Sequence, residues 1–254
     1  LVYRHTPSFR FVTVMRNFGP PLPGMPQQTV MEGSGAVIPD TRSTTWRLTV
    51  DKLAIDNQVY QASAPLAVVT ADTVASRPGA RFKDVDLRGL ASISYGAPPN
   101  APAAVVLRRN LRAISAAMTP PQSAPIGPGS VVYDANPALY DFMYYRVPGA
   151  QIVKPLRPLV AQGIVFYMTR PGILATVTDA ATVQYASRYL TLTVDATAIF
   201  DLSSGLPLMV RLHLRGETDL PVYRGPVELV VVNVLALPGM RDPVPDAFAM
   251  AQPS

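Results

Sequence analysis

The sequence predicts an all-β protein, and two patterns in its C-terminal third carry this prediction. Apolar and polar residues alternate in Tyr189–Asp195 and again in Leu208–Arg215, which is the period of a strand with one solvent-facing side. Val227–Leu237 is apolar at nearly every position, which indicates a strand that is covered on both faces. Glycine, proline and aspartate separate the three segments. We therefore expect them to form the centre of a β-sandwich or barrel.

The composition favours a protein whose surface is partly covered by neighbouring molecules. Only 15% of the 254 residues are charged, against a usual ~25%. A free monomer normally covers itself with charge, so this shortage indicates contacts with other subunits. A low-charge secreted protein is the alternative. The chain is long enough for one large β domain, and its longest apolar run is far below the ~20 residues of a membrane helix, so no membrane contact is predicted.

Proline marks the connections between the predicted strands. The chain has 27 prolines, about twice the usual ~5%. Because proline lacks an N–H and fixes φ, its clusters are predicted to be long, stiff loops. One cluster, Gly19–Pro26, is predicted to be an extended arm that crosses either a neighbouring subunit or its own domain. The other clusters are Ala97–Pro102, Thr119–Gly129, Val147–Pro158 and Pro238–Pro245.

The same alternation predicts further strands along the chain. Phe9–Arg16 and Trp46–Leu53 each place large apolar residues on one side. Gly163–Thr169 and Leu174–Thr178 are also predicted to be strands. The Arg-Pro-Gly sequence at Arg170–Gly172 is predicted to be the turn between them, since proline followed by glycine is typical of turns.

One short helix is predicted near residues 103–118. Apolar residues recur there at helical spacing, Pro102 suits the first turn, and the Thr119-Pro120-Pro121 sequence ends the pattern. A strand that begins at Val105–Leu107 is the alternative. The apolar positions of the helix are Leu107, Leu111, Ile114 and Met118.

A basic stripe on this predicted helix is the one candidate for nucleic-acid contact. Arg108, Arg109 and Arg112 lie within about 100° of each other on a helix, and arginine suits phosphate groups. A solvated helix face is the alternative. The chain carries 19 arginines, 3 lysines and a net charge of +5, but this charge is spread along the sequence without a basic run. A genome rich in G and C would also explain the arginine content.

No combination of residues predicts catalysis. The chain has no cysteine, which excludes disulfides, thiolate metal sites and cysteine nucleophiles. Of the two histidines, His5 lies near the start of the sequence, and His213 shares its strand face with Arg211 and Arg215. Nearby positive charge disfavours a histidine base, and no G-x-S-x-G motif occurs with which a triad could be completed. The protein is therefore predicted not to be an enzyme.

Two acidic pairs are the candidates for metal ligands. Asp84 with Asp86, and Glu217 with Asp219, offer carboxylate oxygens such as calcium prefers. Neither pair has the ligand number or spacing of a known loop motif, and turn chemistry explains them equally well. No metal site and no cofactor is predicted.

A third pair of carboxylates offers a minor enzymatic alternative. Asp195 and Asp201 could serve as the acid and base of a glycosidase built on a β-sandwich. Such an enzyme needs aromatic residues that line a cleft. The single tryptophan, Trp46, lies within a strand pattern and is predicted to belong to the core.

The final strands carry a resemblance to a known class of proteins. LPLMVRLHLRG (Leu206–Gly216) and VELVVVNVLALPG (Val227–Gly239), together with the extended GPPLPGMP (Gly19–Pro26), resemble the jelly-roll coat proteins of non-enveloped icosahedral viruses. The likeness is one of pattern over most of the chain and rests on no family motif. It implies an antiparallel β-sandwich, a jelly roll, with long proline-rich loops and one short helix. The Arg/Lys-rich terminal arm of many such coats is missing, so contact with the genome would rest on scattered arginines or another protein.

The sequence as a whole predicts three regions and a structural function. Residues 1–45 are predicted to form an N-terminal strand and a proline-rich arm, residues 46–238 the β-sandwich, and residues 239–254 a surface tail. The predicted function is that of a subunit of a self-assembling shell, located in a virion or similar particle. Its predicted partners are copies of itself or sister subunits, with weak contact to packaged nucleic acid. The alternative is a secreted β-sandwich that binds or cleaves carbohydrate.

Overall fold

Strands dominate the computed structural model of this chain. It describes residues 8–20, 26–39, 43–61, 65–74, 80–86, 128–133, 135–136, 139, 149–220 and 223–253. The strands are β1 (Ser8–Asn17), β2 (Gln28–Pro39), β3 (Ser43–Ile55), β4 (Gln58–Gln61), β5 (Ala67–Val74), β6 (Ala80–Asp86), β7 (Val131–Tyr133), β8 (Gln151–Lys154), β9 (Leu159–Tyr167), β10 (Arg170–Tyr185), β11 (Arg188–Asp201), β12 (Pro207–Leu220) and β13 (Tyr223–Ala236), and a helix, here α1, spans Pro243–Met250. No helix among these residues is long and apolar enough to cross a lipid bilayer.

The described strands form a single antiparallel sheet, and the chain enters this sheet at its centre. The order across the sheet is β6-β5-β3-β2-β1-β13-β12-β11-β10-β9-β7, with β4 paired to β3 and β8 paired to β10. The chain runs outward from β1 to β6 and then inward from β7 to β13. The last strand returns to the first, because β13 pairs with β1 from Arg10 to Asn17. Within the described sheet, the strands of the two halves are therefore joined by this pair.

The alternation predicted for Tyr189–Asp195 is confirmed, whereas Leu208–Arg215 is not a strand with one solvent-facing side, because Met209 and His213 on its second side are also buried. In β11, Leu192 and Val194 are buried while Thr191 is exposed. In β13, neighbouring residues such as Leu229 and Val230 are both buried, as expected of a strand covered on both faces. β11, β12 and β13 are successive antiparallel neighbours.

One face of the sheet, here called the inner face, is apolar along the central strands. Phe9 and Phe11 of β1 lie on it, and their rings contact Gly35 and Gly33 of β2. A Cβ at Gly35 would lie 2.4 Å from the ring of Phe9, so glycine at this position makes room for the ring. The inner face carries two clusters of buried residues, one around Phe11 and one around Leu192.

The opposite face, the outer face, is covered at its centre by α1. Ala247 and Ala251 are fully buried and belong to one cluster with Val12, Val14 and Val232 of the central strands. The helix begins at a proline, and the side chain of its N-cap, Asp242, accepts a hydrogen bond from the Val244 N–H at 3.3 Å.

Two arginines of the sheet hold the end of this helix. Arg211 Nε donates to the Met250 carbonyl at 3.0 Å, and its Nη2 donates to the Gln252 carbonyl at 2.8 Å. Arg16 Nη1 donates to the Ala251 carbonyl at 3.4 Å. These donors satisfy carbonyls that a helix end leaves without partners, and they place positive charge at the negative end of the helix dipole.

The C-terminal segment therefore differs from the surface tail predicted for residues 239–254. Strand alternation does end near Pro238, but Val244, Ala247, Phe248 and Ala251 follow at helical spacing and pack on the sheet. The prolines at 243 and 245 belong to a cluster that was predicted to be a loop. Proline is well tolerated in the first turn of a helix, where its missing N–H is not needed.

The all-β, antiparallel prediction is confirmed, whereas the jelly-roll topology is not. Apart from β1 with β13, the neighbouring strands of the described sheet are consecutive in sequence or separated by one strand. This order is a meander in one sheet, while a jelly roll divides its strands between two sheets by Greek-key connections. The predicted region boundary at residues 45 and 46 falls inside β3. The predicted helix at residues 103–118 lies outside the described residues.

Candidate functional site

The outer edge of β9 presents two large apolar side chains to solvent. β10 pairs with one side of β9. On the other side, β7 pairs with Leu159 and Val160, and Ser130, just before β7, accepts a hydrogen bond from the Ala161 N–H at 2.8 Å. Among the described strands, none pairs with residues 162–167 on that side, and we call these residues the β9 edge. Within it, Ile164 is 65% exposed and Phe166 is 79% exposed.

The hairpin between β9 and β10 determines which backbone groups point away from the sheet. Its loop has two residues, Met168 and Thr169, with φ of 46° and 71°, as in a type I′ turn. Tyr167 and Arg170 close this loop, and the closing pair of such a hairpin exchanges both backbone hydrogen bonds. Successive residues of a strand point their backbone N–H and C=O groups to opposite sides. Because those of Tyr167 point to β10, those of Phe166 and Ile164 point away from β10. Pro171, which has no N–H, lies opposite Phe166, which agrees with a pair that exchanges no backbone hydrogen bonds.

The position of this turn corrects the predicted turn at Arg170–Gly172. Pro171 and Gly172 lie within β10, and the turn precedes them. Glycine is needed at 172 because a Cβ there would lie 2.7 Å from Ile199 Cγ2 on the neighbouring strand. The sequence alone does not distinguish this close approach from a turn.

The β9 edge lacks the charged residues and the proline that usually prevent sheet edges from pairing. No charged residue and no proline occurs in Leu159–Tyr167, although lysine and proline are the usual protection. β8, which shares the same side of β10, offers a contrast, because it ends in Lys154 followed by Pro155. A bulge leaves Gln162 without an opposite residue on β10, but the five residues after it are extended and aligned with β10.

A group of charged residues lies on the outer face of β11 to β13. His213 Nε2 is 2.9 Å from Glu228 Oε1, and its side chain is fully buried. Arg215 Nη2 donates to Asp195 Oδ2. Burial opposes ionisation of Asp195, but hydrogen bonds from Thr178 and Arg215 and the nearby positive charge outweigh it and lower the pKa of this carboxyl. The contacts join neighbouring strands, and a substrate in solution has no access to the buried imidazole.

Asp201 belongs to a different environment and does not form a pair with Asp195. Its carboxylate is fully buried and accepts from Arg170 Nε at 2.8 Å and from Ser204 Oγ at 2.7 Å. The two aspartates are six positions apart on β11, which corresponds to about 20 Å along a strand. Glycosidase carboxylates lie at most about 9.5 Å apart. Asp195 and Asp201 are therefore too far apart to act as the carboxylate pair of the glycosidase alternative.

The remaining candidates for a site are the two acidic pairs and the arginine stripe. Asp219 pairs with Arg188 Nη1 at 2.8 Å and with Arg224 Nε at 2.8 Å. Within the part of the chain that the structure describes, no group of three or more metal-ligating side chains occurs. The side chains of Asp84 and Asp86 are outside that part. Arg108, Arg109 and Arg112 also lie outside it, so that the nucleic-acid stripe stays a prediction.

Comparison with known proteins assigns no family to the chain. No family model matches it, and no curated protein matches it either. Among solved structures, one titled "Crystal structure of MucB in complex with MucA(peri)" aligns with 98% of this chain and 94% of that chain, at 11% sequence identity and a TM-score of 0.12. A similarity this low carries no argument about fold or function.

Proposed function

We propose that this protein is a noncatalytic structural subunit that assembles with copies of itself through the β9 edge. The observation that carries the proposal is an uncharged strand edge with outward-facing backbone groups and two exposed apolar side chains. Unpaired N–H and C=O groups on a strand edge form a ready template for another strand. A protein that stays monomeric normally blocks such an edge with charge or proline.

The chemistry of this edge favours a second copy over a charged partner. Leu159–Tyr167 has no charged residue that could select an acidic or basic ligand. Cross-strand pairs between β-branched and aromatic side chains contribute roughly 0.2–1 kcal/mol each. Identical copies bring the same exposed Ile164 and Phe166 to the contact.

The strength expected of this contact follows from its size. The β9 edge has only six residues, and stable interfaces bury at least about 1,200 Å². We therefore expect association through this edge alone to depend on protein concentration. A closed shell, as predicted from the sequence, needs at least one further contact of a different kind, because a two-fold contact by itself ends at a dimer. The low overall charge supports such additional contacts.

A pair of lysine substitutions tests the proposal. We expect the chain of 27.3 kDa to associate in a concentration-dependent manner by light scattering coupled to size exclusion. Phe166→Lys should weaken this association at least about tenfold, because a lysine inside the new interface loses its hydration without a partner. Val153→Lys is the matched control, since Val153 is an exposed valine, 47% accessible, on the already protected β8.

The outcomes are distinct. The proposal is supported if the unmodified chain and V153K associate while F166K stays monomeric. The circular dichroism of F166K should be unchanged, which shows that it is folded. If the unmodified chain keeps the monomer mass at every concentration, the proposal is contradicted. Equal association of F166K and V153K contradicts it as well. The mass of particles isolated from the natural source, with their absorbance at 260 and 280 nm, tests the further step to a nucleic-acid-containing shell.

A further inference from the structure

We propose that two copies pair their β9 strands antiparallel about a two-fold axis that passes through Val165. The inference rests on the proposed function and adds the register of the contact. It follows from three properties of β9, namely which face each side chain occupies, where the free part of the strand begins and ends, and which backbone groups point outward.

The faces of the strand limit the registers that are allowed. A two-fold axis perpendicular to the joint sheet keeps each face of one copy on the same side as the equivalent face of the other. Directly opposite residues must then lie on the same face. Ile164 pairs with Ile173 of the inner face, whereas Val165 packs with the outer-face cluster. Ile164 can therefore lie opposite Ile164 or Phe166 of the second copy, but not opposite Val165.

The two ends of the β9 edge select one of these registers. β7 and the preceding Ser130 occupy the edge as far as Ala161, and the hairpin loop begins at Met168. Centring the contact on Val165 places Gly163 opposite Tyr167 and Ile164 opposite Phe166, so that all five pairs fall within the β9 edge. Moving the centre to Ile164 would place Phe166 opposite Gln162, the bulged residue that interrupts the strand. Tyr167 would then have to pair with Ala161, which is already bonded to Ser130. Moving it to Phe166 would leave only three paired residues before the loop.

The backbone groups fit the same register. Ile164 and Phe166 point their N–H and C=O groups outward, as derived from the hairpin. When Ile164 of one copy lies opposite Phe166 of the other, the two residues exchange two backbone hydrogen bonds. The two-fold axis repeats this pair, which gives four hydrogen bonds around a central pair of Val165 residues. Each pair also joins a β-branched side chain to an aromatic ring on the inner face.

No charged groups oppose each other in this arrangement. Arg170, at the beginning of β10, is the charged residue nearest to the free segment in the hairpin, and its guanidinium already binds Asp201, with Nε 2.8 Å from Oδ1. Arg157, before β9, binds Asp179 with Nε 3.2 Å from Oδ2. Both cations are thus engaged within their own chain, and neither lies in the five paired positions.

The absence of cysteine from the chain makes a direct test of the register available. In the proposed pair, the two Val165 Cα atoms lie about 4.5 Å apart, which is within the range for a disulfide. Val165→Cys should therefore form a disulfide-linked dimer under mild oxidation. Gly163→Cys is the matched control on the same strand. A side chain at Gly163 meets no atom within 4 Å, and the two copies of residue 163 would be about 13 Å apart along the strands.

A second pair of variants does not depend on the partly buried Val165. Ile164→Cys and Phe166→Cys replace exposed side chains, and they should form the linked dimer when the two proteins are mixed, several-fold more than either does alone. The yield of linked dimer is measured on nonreducing gels, beside light scattering of the unmodified chain.

Each result has a distinct meaning. Preferential linkage of V165C over G163C, and of the I164C and F166C mixture over either variant alone, supports the register. Association of the unmodified chain with equal linkage of V165C and G163C overturns the register and leaves the proposed function standing. Absence of association in the unmodified chain overturns both.

Discussion

The buried carboxylate of Asp201 organises the loop between β11 and β12. It accepts hydrogen bonds from Arg170, from the Ser203 hydroxyl and from both the N–H and the hydroxyl of Ser204. The Gly205 N–H donates to the Asp201 carbonyl at 2.8 Å, with φ of 72° at the glycine. Burial opposes ionisation of Asp201, but these donors outweigh it and lower the pKa of its carboxyl.

Asp201→Asn should lower the free energy of unfolding by about 2–3 kcal/mol at neutral pH, because it removes charged hydrogen bonds and leaves Arg170 partly unpaired. The folded-state pKa lies below the unfolded value of about 3.9. The stabilisation is therefore complete above that value and is lost as the pH falls through the folded pKa. We expect the difference between the unmodified chain and D201N, measured by urea unfolding, to be constant near neutrality and to shrink below about pH 4.

Asp219→Asn is the control for this experiment. Asp219 also pairs with arginines, but its side chain is 71% exposed, and exposed ion pairs contribute at most about 1 kcal/mol. Equal losses in D201N and D219N, or a D201N difference that does not change with pH, would show that burial of Asp201 is not the cause.

At the scale of elements, α1 depends on the sheet for its stability. An isolated helix of eight residues is not stable in water, so its apolar contacts and the arginines at its end must hold it. Ala247 lies fully buried against the valines of β1 and β13, whereas Ala249 of the same helix is exposed.

Ala247→Asp should therefore destabilise the protein by about 3 kcal/mol or release α1 from the sheet, since the substitution buries a charge without a partner. Ala249→Asp changes the same residue type in the same helix and should stay within about 0.5 kcal/mol of the unmodified chain. Chemical unfolding and hydrogen exchange of the α1 amides provide the measurements. Similar behaviour of both variants would mean that α1 does not pack as described.

At the scale of the whole molecule, the pair of β1 and β13 connects the two halves of the sheet. The Thr13 hydroxyl donates to Asn233 Oδ1 at 3.3 Å across a sequence separation of 220 residues. Both strands are covered on each face and have paired neighbours on each side. Opening this pair would separate the outward and inward meanders, so its opening should accompany global unfolding.

We expect native-state hydrogen exchange to be slowest in β1, β12 and β13 and at least about a hundredfold faster in β4 and β8, each of which pairs with a single one of the described strands. Denaturant should accelerate exchange in the central strands with the slope of global unfolding. Exchange of β1 at the rate of β8 would contradict the central position of the β1 and β13 pair.

Particular residues show how far sequence reasoning reaches in this protein. The alternation in β11 and the continuous apolar run in β13 predicted their burial correctly, because side-chain direction along a strand depends only on local geometry. Gly172 shows the opposite case. Its pattern was that of a turn, but its small size is required by Ile199 on another strand. The β9 edge likewise could not be predicted from the sequence, because its exposure depends on how much of β9 is paired with β7.

The amino-acid sequence by itself determined that the described part of this chain is built largely of strands, since strand periodicity acts locally. Only the tertiary structure decided that the described strands form a meander in one sheet, that β13 returns to β1, that the C-terminal segment is a packed helix and that no described strand pairs with residues 162–167 of β9 on the side away from β10. These features depend on contacts between residues far apart in the chain, and local periodicity is the same whichever strand lies alongside.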